Sequence, residues 1–145
     1  MKHSLNQKIV AITPPGAIVD NAAFTTAAVD TLGFNQLTIV VLFGAMDVAV
    51  AALKLQESDD SGMSGAVDID GSNYSTEASL PGATADNTMY AFHVDLRGRK
   101  RFIDLTLTGG DGTTGTYATA FAILSRAQEC PNSAAERGFA GELFV

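Results

Sequence analysis

Two stretches of the chain alternate apolar and polar residues with the two-residue period of a β-strand. In residues 89–96, Tyr90, Phe92, Val94 and Leu96 share one parity, while Ala91, His93 and Asp95 share the other. In residues 102–108, Ile103, Leu105 and Leu107 fall on one face, and Asp104, Thr106 and Thr108 on the opposite one. Side chains change face at every residue of a strand, so each stretch makes one buried face and one wetter face. Residues 116–125 are apolar on both parities, which predicts a strand buried on both sides. The charged turn Arg97-Gly98-Arg99-Lys100-Arg101 joins the first two stretches, and a glycine-rich turn at 109–115 joins the next two. Short turns between alternating strands predict an antiparallel meander.

The rest of the chain extends the same pattern. Residues 8–13 read as a short strand stopped by Pro14-Pro15-Gly16, and proline, which donates no backbone hydrogen bond, places it at a sheet edge. Residues 17–29 show no helical stripe; Asp20-Asn21 reads as a turn between two short strands, and 30–34 carries a second turn. The continuous β-branched run QLTIVVLF at 36–43 suits the middle of a sheet. Gly44-Ala45-Met46-Asp47 turns the chain, and 48–58 returns. Alanine favours helix there, but Leu53-Lys54-Leu55-Gln56 has period two and favours strand. Residues 58–86 are dense in Ser, Gly, Asp, Asn and Thr and read as loop, with a short strand at 66–69.

After the alternating stretches, Ser133-Ala134-Ala135-Glu136 has the spacing of a helix capping box, and Gly138 ends that single turn. The chain then finishes FAGELFV. Apolar ends suggest docking, because chain ends otherwise fray. Phe139, Leu143, Phe144 and Val145 are therefore candidate contacts in an extended C-terminal arm, 127–145, lying on the protein's own core or on a neighbouring copy. Together these elements predict one all-β domain, 1–145: a β-sandwich of jelly-roll or related topology with about eight antiparallel strands.

Composition narrows the function. A length of 145 residues with 46% hydrophobic content fits one folded domain. The net charge of −7 opposes nonspecific binding to nucleic acid or to an anionic membrane. The single cysteine, Cys130, excludes an internal disulfide framework and suits a reducing cytoplasm. The N-terminal residues contain no apolar run of signal-peptide length. The most apolar window, 37–55, is broken by Gly44 and Asp47, whereas a membrane helix needs roughly 20 apolar residues.

Candidate chemistry is sparse. Asp68-Ile69-Asp70-Gly71-Ser72-Asn73 could offer oxygens to a hard cation, but the glycine falls fourth rather than sixth and the distal glutamate is out of place, so an ordinary turn is the expectation. His93 lies beside Asp95 on the wetter parity, Cys130 precedes Pro131 in a polar loop, and neither has a partner that sequence can supply. Gly109-Gly110-Asp111-Gly112 lacks the Gly-Lys-Ser/Thr of a phosphate loop. No catalytic set, metal or cofactor is expected.

The basic turn is different. Arg97, Arg99, Lys100 and Arg101 are four of only nine Lys and Arg in an acidic chain. They read either as a solvated hairpin tip pairing with Asp95 and Asp104, or as a contact for an acidic protein surface, since arginine forks match carboxylates.

The segments TIVVLFGAMDVAVAALKLQESDD, AFHVDLRGRKRFIDLTLTGGDGTTGTYATAFAILSRAQECP and AAERG resemble a family of small structural proteins of tailed bacteriophages, over residues 37–138. The resemblance implies a non-enzymatic virion role, most specifically a capsid cement or decoration protein. Such a protein is made in the host cytoplasm, sits on the capsid surface, binds the major capsid protein and self-associates, as a trimer in preference to a dimer. It assigns no catalytic residue. The alternative is a head-fibre or tail-associated jelly-roll module for host-surface glycans, which would want exposed aromatic platforms; the chain has no Trp and three Tyr.

Overall fold

β-branched and aliphatic runs take up extended backbone through most of this chain. The computed structural model describes residues 6–13, 17–19, 23–113 and 115–144. The proline stop at 14–16, the Asp20-Asn21 turn, His3 and Val145 lie outside the described residues. In chain order the elements are β1 (Gln7–Ala11), β2 (Ala17–Val19), β3 (Ala23–Thr25), β4 (Val29–Asp30), β5 (Phe34–Met46), β6 (Ala52–Ser58), β7 (Val67–Asp68), the helical turn α1 (Tyr74–Glu77), β8 (Met89–Asp95), β9 (Phe102–Thr108) and β10 (Thr116–Ala127).

The strands form two antiparallel sheets. Sheet A runs β1–β10–β5–β8, with β2 also on β10; sheet B runs β3–β9–β6–β7, with β4 also on β9. β1 and β2 follow one another along the same strand: Gln7 to Ala11 face Ser125 to Phe121, and Ala17 to Val19 face Ala118 to Thr116. β3 and β4 do the same along β9. Each pair fills one strand position, which leaves eight positions, four per sheet. In sheet A their order is first, eighth, third, sixth; in sheet B it is second, seventh, fourth, fifth. That is the jelly-roll order of a β-sandwich.

The core lies between the sheets. β5 contributes Leu37, Ile39, Val41 and Phe43, β6 contributes Leu53 and Leu55, and β9 contributes Ile103, Leu105 and Leu107. Facing them, β10 supplies the small residues Ala118, Ala120 and Ala122 and then Leu124. Each large side chain buried this way stabilises the fold by roughly 1.5–3 kcal/mol.

Two expectations need correction. Residues 89–125 do not form a meander: β8 pairs β5 in sheet A, β9 pairs β6 and β3 in sheet B, and β10 returns to sheet A. Likewise β6 does not fold back on β5 as a hairpin; β5 runs on to Met46, past a register shift opposite Thr116 to Ala118, and the chain then crosses to the other sheet. The physical reason is common to both. Alternation says that one face of a strand is buried, but either sheet can bury it, and a five-residue turn is long enough to bridge the roughly 10 Å between stacked sheets. The polar middle contains one further element, α1, whose N-cap Asn73 accepts a hydrogen bond from the Ser75 N–H at 3.0 Å.

Candidate functional site

The basic turn connects β8 to β9 and so spans the two sheets at one end of the sandwich. Gly98 takes φ +77°, which lets the chain turn sharply there. Three of its four cations are matched within the chain. The Arg97 guanidinium grips Asp95, its Nε donating to both carboxylate oxygens at 3.0 Å. That contact, with the Arg97 backbone N–H, holds the Asp95 carboxyl down at about 2. Arg101 makes a two-bond fork on Asp30 at 2.8 and 2.7 Å and lies over the Phe102 ring. The fork lowers the Asp30 pKa. Arg99 reaches the nearly buried Glu57 at 3.6 Å, and the same carboxylate accepts the Lys100 backbone N–H at 3.2 Å. The Lys100 ammonium makes no ion pair among the described residues.

The expected pairing with Asp95 is present, but Asp104 is not part of this cluster. It sits on the outer side of sheet B opposite Gln56, where β3 gives way to β4, and is only 1% exposed. Its Oδ1 has no hydrogen-bond partner among the described residues, and burial pushes its pKa up to about 6. Asp30 and Glu57 take the roles expected of it, because the register sets Asp30 opposite Phe102 and Ser58 opposite the same residue. Sequence spacing could not foresee either.

The C-terminal arm begins as the capping box predicts. The Glu136 N–H donates to Ser133 Oγ at 3.2 Å, and Glu136 Oε2 accepts the Ser133 N–H at 3.0 Å. Gly138 closes the turn at φ +87°. There the backbone lies against the free edge of β1: the Ile9 N–H donates to the Arg137 carbonyl at 2.9 Å, and a Cβ on Gly138 would stand 1.7 Å from the Ile9 carbonyl oxygen. The arm thus covers part of a sheet edge that would otherwise be open to pairing. Arg137 is 6% exposed, is paired with Glu142, and donates to the Pro131 carbonyl at 2.6 Å. Its guanidinium carbon lies 6.0 Å from the Phe144 ring centroid. The apolar residues remain outward: Phe139 is 39%, Phe144 55% and Leu143 91% exposed.

A grouping with no sequence signal forms along the outer edge of β8. A groove of about 350 Å³ opens between β8, β6 and the 69–78 segment. Tyr74 and Phe92 stand edge to face in it at 5.0 Å, and the Tyr74 hydroxyl donates to the Ala91 carbonyl at 2.9 Å. Asp70, Asn73, Glu77 and His93 line its polar side. His93 Nδ1 shares a hydrogen bond with Thr38 Oγ1 at 3.1 Å. Asp68, the first residue of the Asp-x-Asp-Gly stretch, is bound by Lys54 and Gln56, and among the described residues no three His, Cys, Asp or Glu side chains gather as a metal site. Cys130 is exposed.

No protein-family model matches the chain, and a search of curated proteins finds no match to it.

Proposed function

We propose that the chain is a non-enzymatic structural protein of a bacteriophage virion: a capsid cement protein that binds the major capsid protein and stabilises the assembled head. What carries this reading is the jelly-roll strand order, an architecture used by viral capsid and lectin domains, in a chain whose residues 37–138 resemble virion proteins. No catalytic residue, metal, cofactor, nucleic acid or membrane enters it. The contacts are the basic turn, Arg97 to Arg101, and the apolar arm, Phe139, Leu143 and Phe144. Imaging of the phage particle should find the protein on the outside of the head; a tail or internal position would refute the cement role.

The intrachain ion pairs shape the finer test. The arginines already hold carboxylates, so a capsid carboxylate must share them with or displace Asp95 or Asp30, and each exposed contact is worth only ~0–1 kcal/mol. Replacing Arg97, Arg99 and Arg101 together by alanine should leave a folded protein that leaves particles at lower salt than the wild type. Equal retention at every salt concentration would make the turn a solvated tip only. Truncating the arm is a poor test, because removing Glu142 leaves the buried Arg137 without its partner. Leu143→Ser with Phe144→Ser removes the two most exposed apolar groups of the arm and spares that pair.

The groove beside β8 favours a second reading, a glycan-binding module, since an aromatic floor with carboxylate and amide groups at its rim suits a sugar. Tyr74→Ala should then abolish glycan binding without loss of particle attachment.

A further inference from the structure

An antiparallel sandwich buries one face of each sheet and shows the other to water, so its outward positions are ordinarily polar. Sheet B follows this rule and sheet A does not. The registers align Ile9 with Ile123, Phe121 with Val40, and Leu42 with Met89, all on the outer side of sheet A. Ile9, Ile123, Phe121 and Val40 are half-buried, Leu42 is 38% exposed and Met89 is 70% exposed. Thr38 and His93 complete the Ile9–Ile123 row and Thr119 the Leu42–Met89 row, but no Lys, Arg, Asp or Glu interrupts them. Charge returns only in the row that closes one end, where Gln7, Ser125, Gln36 and Asp95 stand side by side.

We propose that this outer face of sheet A is where a second copy of the chain packs, face to face across a two-fold axis. Three observations select that occupant. The first is shape. The face is the open side of a four-position sheet, and two such faces stack at about 10 Å with strands within about 30° of alignment. The same patch then serves both partners, which closes the assembly at two.

The second is charge. Copies of a chain with net charge −7 repel, and a face without Lys, Arg, Asp or Glu is where they can meet without burying one of those ions. The third is area. With strands about 4.8 Å apart and same-face residues about 6.8 Å apart, three rows across four strands cover about 400 Å². The C-terminal arm adds to this, because Arg137 and Gly138 lie against β1 at Ile9, at the margin of the same face. The face by itself is about half of the roughly 800 Å² per partner of a standard stable interface, which fits a weak pair that dissociates on dilution. The pairing depends on no part of the virion reading, and it favours a dimer over the trimer that the resemblance implies.

The test is the mass of the purified full chain in solution, by light scattering across a dilution series. Wild type should run at twice the monomer mass and dissociate on dilution. Phe121→Lys should raise the dissociation constant about 30-fold or more, as expected for a central interface residue, while the circular dichroism stays that of a folded β-protein. Should Phe121→Lys fail to fold, Met89→Lys decides, because its side chain is mostly exposed in the single chain. It should weaken association about tenfold, or ~1.4 kcal/mol. Thr106→Lys on sheet B should leave the mass unchanged. A wild type that is monomeric at every soluble concentration would overturn the proposal. So would a trimer, or a dimer indifferent to both sheet A variants. A monomer whose Met89→Lys form loses particle binding would assign the face to the capsid instead.

Discussion

The outer faces of the two sheets belong to the same sandwich, yet they differ in kind. On sheet B, Lys54 Nζ donates to both oxygens of Asp68, Gln56 donates to the same carboxylate at 2.7 Å, and Thr106 donates to Gln56 at 3.3 Å. Those side chains satisfy one another and water, and they ask for no partner. On sheet A the outward positions include Val40, Leu42, Phe121 and Ile123, which water solvates poorly, with Thr38 and Thr119 beside them. The difference teaches that an outward strand position is not a polar position by default. Where outward residues are apolar and contiguous, the sheet carries a second burying face, and the single chain fills only the first.

The largest effects should come from the face that is already filled. Leu124 and Phe121 lie on the same strand with opposite parity; Leu124 is fully buried and Phe121 half-buried. Leu124→Ala should cost about 2–5 kcal/mol in denaturant unfolding, through lost transfer energy and a cavity. Phe121→Ala should cost clearly less in a dilute monomer and show its main effect in association. Equal losses of monomer stability would mean that the two faces of sheet A do not differ.

Asp104 is a buried carboxyl on the polar side of the sandwich. Unfolded, it ionises near 3.9; folded, burial raises it to about 6. Between those values the folded state keeps a proton that the unfolded state releases. Stability should therefore fall as pH rises from about 4 to about 6, by on the order of 2–3 kcal/mol, and stay lower above that. Asp104→Asn should flatten the slope and leave the protein more stable at neutral pH. A slope that survives the substitution would assign it to another group.

A smaller effect on stability, but a clear one on mass, is expected when sheet B is made to resemble sheet A. Lys54→Val removes one exposed ion pair with Asp68, worth ~0–1 kcal/mol. Together with Asp68→Val and Thr106→Val it creates a second apolar face. A chain with two unlike sticky faces no longer closes at two, so assemblies larger than a dimer should form. The smallest effect should be that of single arginine replacements in the basic turn. Arg97→Ala breaks a pair whose cation side chain is 83% exposed, and its melting temperature should match wild type within error; a clear loss would make the turn a structural element of the sandwich.

The sequence by itself determined the strands, the sandwich class and the C-terminal capping box, because each depends on short spacings: a period of two for strands and three residues from Ser133 to Glu136. It also carried the trace of the unusual face, since residues 116–125 are apolar on both parities. It led there to an expectation of burial on both sides, whereas the structure buries one parity and leaves the other half-exposed. What only the tertiary structure decided was the sheet to which each strand belongs, and with it every contact across register. The carboxylates that hold Arg99 and Arg101, Glu57 and Asp30, stand 42 and 71 residues away in the chain. Tyr74 meets Phe92 only because α1 folds onto the edge of β8. Hydrophobic periodicity fixes which side of a strand must leave water, but not what covers it. That choice is made by packing between segments distant in the chain and, for the outer face of sheet A, by what packs against the chain from outside.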